Sequence, residues 1–276
     1  MPAFHRLLLT GASGGLGRVL RPHLRGLCAV LRVADLAPPP DPQAGEEAIG
    51  CDLADRAAVR EMCSGVDAIA HFGGVSVEDY FDNILRANLL GTFNLYEAAR
   101  TLGIRRIAYA SSSQVTGFYP TSEIVDPAMP VRPSSLYGLS KSFGENLARL
   151  FYDRYGVETV CLRIAMCFPT PTTHRMLRSY LSFRDLCTLV ERSLVAPDVG
   201  HTIVYGVSAN RDLLWRNPNA AKIGWTPQDS SEPFRAAVEA ATPAPDPADV
   251  QNRFHGGRFT QDGPFEDRPR TMHDAT

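Results

Sequence analysis

Short apolar runs alternate with amphipathic stretches along most of the chain, a pattern that predicts parallel strands separated by helices. His5–Thr10 is the first run, and a glycine-rich turn (Gly11, Gly14, Gly15, Gly17, with Leu16 among them) leads into a helical pattern extending to about Leu27. The next run, Ala29–Ala34, ends at Asp35 and Leu36 and is followed by a proline-rich loop. Ala48–Cys51, Asp67–Phe72, Ile107–Ser111 and Thr159–Ile164 read as further strands, with helices at Arg56–Cys63, Ile84–Leu102 and Ser135–Tyr155. Beyond Ile164 the alternation weakens to a helix at Phe183–Leu194, a strand at Ile203–Tyr205 and a helix at Ser231–Ala241. The expected architecture is α/β, a Rossmann-type doubly wound parallel sheet with a small C-terminal region. Residues 1–165 form its core, 166–241 a smaller substrate-binding region, and 242–276 a tail rich in Pro, Asp and Arg. That tail is expected to be either disordered or an arm that docks on a neighbouring subunit.

Composition narrows the function without naming it. The chain is 44% apolar and 21% charged with a formal net charge of −2, so it carries no electrostatic footprint for nucleic acid or an anionic membrane. No apolar stretch approaches the roughly 18 residues of a spanning helix, and the first strand starts too early for a signal peptide. The six cysteines show no CxxC spacing, and no histidine pair has the i, i+4 arrangement of a helical metal site. A reduced, cytoplasmic, metal-free protein is expected.

The glycine turn sits between a strand and a helix, where glycines let the backbone approach a pyrophosphate resting on the helix N-terminus. Asp35 closes the second strand, where its carboxylate suits a ribose diol and repels a ribose phosphate, which favours NAD over NADP. Tyr137 and Lys141 stand one helical turn apart and face the same way. An ammonium beside a phenol favours the phenolate and pulls the tyrosine down from about 10 towards neutrality, as a general base requires. Ser112, at the end of a strand, is suited to share a hydrogen bond with the reacting oxygen. Tyr137, Lys141 and Ser112 are therefore the expected catalytic residues.

Thr10-Gly11-x-x-Gly14-x-x-Gly17 together with Tyr137-x-x-x-Lys141 resembles the extended short-chain dehydrogenase/reductases, the NAD-dependent epimerase/dehydratase family, densely over residues 7–165. The resemblance implies cofactor contacts at Leu16, Leu36, Asp52-Leu53, Phe72-Gly73-Gly74, Lys141 and Ile164, with Asn88 as a mid-helix asparagine near the site. Dehydratases of this branch carry an acid pair where this chain has Ser113 and Gln114, which disfavours dehydration. Residues 165–241 are short for holding a nucleoside diphosphate, which points to a small sugar.

Motifs spread over nearly the whole chain resemble bacterial uronate dehydrogenases: Cys51-Asp-Leu-Ala-Asp55, His71-Phe-Gly-Gly-Val-Ser76-Val-Glu78, Arg175-Met-Leu177, Gly224-Trp225 and Arg253-Phe-His-Gly-Gly257. That resemblance implies NAD-dependent oxidation of a hexuronate at its anomeric carbon to an aldarolactone, with Arg175 on the substrate carboxylate. Ser76, Ser112, Ser113, Gln114, Tyr137 and Met166 would complete the substrate site. Ser113 and Gln114 replace a family Asn and His, and Met166 a serine, so an NAD-dependent dehydrogenase or epimerase of another sugar is the alternative. Trp215 and Trp225 are expected as core anchors. Pairing of the helices near 84–102 and 135–155 into a homo-oligomer is expected by analogy.

Overall fold

The computed structural model describes residues 2–263 and 265. In chain order it begins β1 (Phe4–Thr10), α1 (Gly15–Arg25), β2 (Cys28–Asp35), β3 (Glu46–Gly50), α2 (Arg56–Met62) and β4 (Ala68–His71). The expected single helix over 84–102 is three joined pieces: α3 (Phe81–Ile84), a π-helical segment Leu85–Leu90, and α4 (Gly91–Leu102). β5 (Arg106–Ser112), α5 (Leu136–Tyr155) and β6 (Glu158–Ile164) follow. The rest comprises β7 (Met166–Cys167), α6 (His174–Ser179), β8 (Tyr180–Leu181), α7 (Phe183–Val195), β9 (His201–Gly206), α8 (Arg235–Ala241) and α9 (Val250–Arg253).

Seven strands form one parallel sheet in the order β3-β2-β1-β4-β5-β6-β9. The inner strands β4, β5 and β6 are buried along almost their whole length, which is why they read as continuous apolar runs, whereas the edge strand β3 is only partly buried. Leu7, Leu9, Leu31 and Val33 face one core with Leu20, Leu24, Leu186 and Leu189 of α1 and α7. Leu8, Ile69 and Ile107 face the other with Val59, Leu95, Tyr96, Leu147 and Phe151 of α2, α4 and α5. Local signals set the helix limits: Asp55 accepts from the Ala57 and Ala58 amides, Ser135 from the Gly138 amide, and Gly156 ends α5 in the left-handed region at φ 67°.

Residues 166–241 contribute to the same sheet, since β9 is its seventh strand and α7 covers one of its faces. The described part of the 242–276 tail folds onto its own chain. Its Phe254 bridges Pro120, the Thr121 amide donates to Arg253 O (2.9 Å), and the His255 amide to Tyr119 O (2.9 Å). A sparse apolar content does not prevent this, since backbone pairing and a few rings hold the segment in place. Any arm formed by residues 266–276 lies outside the described residues. No helix among the described residues is long and apolar enough to cross a membrane.

Candidate active site

A cleft of about 1210 Å³ opens at the C-terminal ends of β1, β4, β5 and β6, where open α/β sheets bind ligands. Its cofactor end is lined by Gly11, Gly14, Gly15, Leu16, Gly17 and Asp35, with Phe72 and Gly74 alongside. The turn is tight for a stated reason. A Cβ at Gly11 would lie 2.5 Å from Phe72 O, and one at Gly17 2.1 Å from Gly11 O, whereas one at Gly15 would meet nothing within 4 Å. Gly15 thus faces open space at the N-terminus of α1, which suits a pyrophosphate. Asp35 is tied to the turn, accepting from the Ser13 amide (2.9 Å) and the Leu36 amide (2.9 Å). Arg32, three residues before Asp35 on β2, spends its guanidinium on Glu47 and on Met62 O and Ser64 O, leaving no cation from that side chain beside Asp35.

The other expected cofactor residues divide. Ile164 and Lys141 line the cleft; Leu36, Asp52, Leu53, Gly73 and Asn88 are not among its walls. Leu36 is exposed, and the Asp52 carboxylate accepts from the Ala54 amide and from Arg86. Asn88 is buried in the π-helical segment with its amide fully used: Oδ1 accepts from the Val75 amide (2.8 Å), and Nδ2 donates to Val75 O (3.0 Å) and Ser140 Oγ (2.9 Å). It fastens the 73–76 loop to α5, and the widened turn around it is a feature often found at functional sites. Beneath that loop, Thr10 Oγ1 accepts from the Gly73 amide (3.0 Å) and pairs with His71 Nδ1 (2.7 Å). Burial, and then the Lys141 charge, push His71 down to about 3, so it is a neutral support.

Tyr137, Lys141 and Ser112 converge at the middle of the cleft. Tyr137 and Lys141 share a face of α5, and Ser112 ends β5, where it hydrogen bonds the phenol. Lys141 Nζ lies 5.7 Å from the centre of the Tyr137 ring. The expected lowering of the phenol is not what this environment gives: burial pushes Tyr137 up, only partly offset by Ser112. Burial depresses Lys141 to about 8, and an ammonium held at that cost is still mostly charged at neutral pH.

The far end is lined by Ser76, Ser113, Gln114, Met166 and Arg175. Gln114 is held by its carbonyl oxygen, which accepts from Ser134 Oγ (2.6 Å). Arg175 is partly buried, and burial followed by the charge of Arg178 brings it down to about 10. Its hydrogen-bond acceptors are backbone carbonyls, Phe254 O (3.2 Å) and His255 O. The sequence reading missed that Gly256, Gly257, Arg258 and Phe259 of the tail also form this wall; the Arg253–Gly257 motif was the available signal. Trp215 is buried as expected and also reaches the cleft, while Trp225 is a core anchor whose Nε1 donates to Thr188 Oγ1 (3.1 Å). Among the described residues no group of His, Cys, Asp and Glu is arranged to hold a metal.

A glycine turn, the Asp35 carboxylate and a Ser112-Tyr137-Lys141 set line one cleft of a Rossmann-type sheet, the arrangement of a nicotinamide-dependent oxidoreductase. Residues 7–198 match the NAD dependent epimerase/dehydratase family, and the chain belongs to it. A uronate dehydrogenase of Pseudomonas putida is 54% identical over 95% of this chain and 98% of its own. A uronate dehydrogenase variant from Agrobacterium tumefaciens complexed with NAD superposes with a TM-score of 0.92, at 46% identity, covering 95% of this chain and 98% of that one. A glucuronic acid dehydrogenase from Chromohalobacter salexigens gives a TM-score of 0.94 at 46% identity, covering 96% and 99%. The chain is an NAD-dependent oxidoreductase.

Proposed function

We propose that the chain oxidises the anomeric hydroxyl of a hexuronate, galacturonate or glucuronate, to an aldarolactone. The observation that carries this reading is the partly buried Arg175, a cation whose described partners are backbone carbonyls and include no carboxylate, in the same cleft as Tyr137. A guanidinium offers a sugar carboxylate two parallel hydrogen bonds. NAD, when bound along the glycine turn and Asp35, supplies the acceptor for the hydride. Tyr137 takes the hydroxyl proton at its phenolic oxygen, and Ser112 shares a hydrogen bond with the same substrate oxygen. Burial and the Ser112 hydrogen bond act on the phenol in opposite directions, and an ammonium 5.7 Å from the ring centre, such as that of Lys141, favours the phenolate by its charge. Ser76, Ser113 and Gln114 supply neutral hydrogen-bonding groups to the remaining hydroxyls, and Met166 one apolar wall.

A second reading, oxidation of another sugar, is favoured by that wall, since a site short of hydroxyl partners accepts different substituents. An absorbance scan for NADH formation across uronates and the matching neutral aldoses tests both. Turnover of uronates well above the aldoses supports the first reading, and the reverse order overturns it. A homo-oligomer is supported by exposed Leu85 and Leu90 and, on α5, Leu139 and Leu150; a monomeric mass in solution would exclude it. Six free cysteines, four of them buried, support a reducing cytoplasmic setting.

A further inference from the structure

We propose that the tail segment Arg253–Phe259 is a positioning element for the sugar-acid site, holding the Arg175 guanidinium at the angle at which it meets the substrate carboxylate. This rests on the reading of Arg175 as the carboxylate partner. A guanidinium has five N–H donors. Arg175 gives one from Nη1 to Phe254 O (3.2 Å) and one from Nη2 to His255 O, which fixes the plane of the group and leaves the remaining donors for a ligand. The next residues take their shape from the same contact. Gly257 has φ +58°, and a Cβ there would lie 2.7 Å from both Cζ and Nε of Arg175, so the guanidinium lies directly against its backbone.

The segment is itself firmly seated. The Gly256 amide donates to Gly117 O (2.7 Å) and the His255 amide to Tyr119 O (2.9 Å), which pairs the tail with the loop after β5. His255 is buried, bonds Glu123 O through Nε2 (3.0 Å) and meets the Trp215 ring edge-on at 5.6 Å. The Phe254 ring packs edge-on against Phe118 at 5.6 Å. Two more contacts reach the substrate end of the cleft. A Cβ on Gly256 would lie 2.7 Å from Ser134, the residue that holds Gln114, and the Phe259 ring lies 5.8 Å from the ring of Tyr137. A free Arg175 side chain would lose rotamer entropy on gripping a carboxylate; a guanidinium already fixed by two carbonyls loses less.

The test is a double-mutant cycle on the full chain with Gly257→Ala and Arg175→Ala, reading KM and kcat with galacturonate and glucuronate and, separately, calorimetric binding of the uronate and of NAD. Gly257→Ala is expected to weaken uronate binding and raise its KM by about tenfold or more, with NAD affinity within twofold to threefold of wild type. In the Arg175→Ala background it is expected to add less than about twofold, because its effect acts through the guanidinium. If Gly257→Ala costs as much in that background as in wild type, or leaves uronate binding unchanged, the positioning role is overturned while the carboxylate reading stands. If Arg175→Ala itself leaves uronate binding unchanged, the carboxylate reading falls first and takes this inference with it. Should Gly257→Ala fail to bind NAD, Phe254→Ala, which loosens the seat from a half-buried position, replaces it in the same cycle with the same two outcomes.

Discussion

Glu145 on α5 and Arg163 on β6 form a buried two-point ion pair, Nε to Oε1 at 2.9 Å and Nη2 to Oε2 at 2.8 Å. Oε1 also accepts from Ser111 Oγ (2.6 Å), and Arg163 Nη1 donates to Tyr205 Oη (3.0 Å). One network thus joins the strand end that carries Ser112 to the helix that carries Tyr137. Burial works against the Arg163 charge, but Glu145 outweighs it and pushes the guanidinium further up. Removing one partner strands the other charge in a place without water. Glu145→Ala is therefore expected to cost about 3–5 kcal/mol of stability in denaturant unfolding. The double replacement Glu145→Leu/Arg163→Met should recover part of that loss. A single-mutant cost below about 1 kcal/mol would show the pair to be better solvated than its burial implies.

Tyr137→Phe removes the phenolic oxygen proposed to accept the substrate proton and leaves the ring. Turnover is expected to fall by about a hundredfold to ten-thousandfold. NAD affinity should stay close to wild type, because the cofactor end of the cleft is built from the glycine turn and Asp35. Residual turnover within threefold of wild type would remove Tyr137 from the role of base.

Cofactor choice is proposed to rest on Asp35. A ribose phosphate placed there meets a carboxylate, and Arg32 is committed to Glu47 and two carbonyls. Wild type should prefer NAD strongly over NADP in kcat/KM, and Asp35→Ser should narrow the gap by about tenfold or more, as expected when like charges no longer face each other. Equal efficiency with the two cofactors in wild type would overturn this assignment.

Arg175→Ala should raise the KM for a uronate steeply and change the rate with the matching neutral aldose very little. A charge-assisted pair contributes only when both partners are present, typically about 1.5–3 kcal/mol. Comparing two enzymes against two substrates separates that pair from general damage to the fold. Equal weakening of both substrates would mean that the arginine supports the wall and does not grip the carboxylate.

Most of the sheet was legible because its inner strands β4, β5 and β6 are apolar and buried and because α1, α2, α5 and α7 begin at a Gly, Asp or Ser cap. The glycine turn and Tyr137/Lys141 were legible because their function depends on fixed spacing within one turn. What spacing does not carry was missed. The π-helical segment at Leu85–Leu90 keeps a helical period, and only the tertiary bonds of Asn88 to Val75 and Ser140 reveal its widened turn. The tail read as disordered or as an arm because the anchors of its described part are backbone bonds and isolated rings, which leave no periodic apolar signature. β9 was read only as a short strand at Ile203–Tyr205, since a weakly alternating edge strand does not announce which sheet it joins.

Lys141 offers a test in which stability and activity move in opposite directions. It is fully inside the protein, its depression to about 8 is caused by burial, and no carboxylate offsets that burial. Below about pH 8 the lysine is charged in both folded and unfolded chains, and the folded state bears the whole cost of an ammonium out of water. Between about 8 and 10.5 the unfolded chain keeps a proton that the folded chain has released, so the cost fades as pH rises across that window. The separation of the two values corresponds to at most roughly 3 kcal/mol. Lys141→Met, similar in length and uncharged, is therefore expected to abolish most turnover and yet to raise Tm at pH 7. Its advantage over wild type should shrink steadily from about pH 8 towards pH 10.5. Thermal unfolding of both proteins at several pH values checks this. A gain that is the same at pH 7 and pH 10 would assign it to packing, and a loss at pH 7 would mean that the ammonium is stabilised by partners strong enough to outweigh its burial.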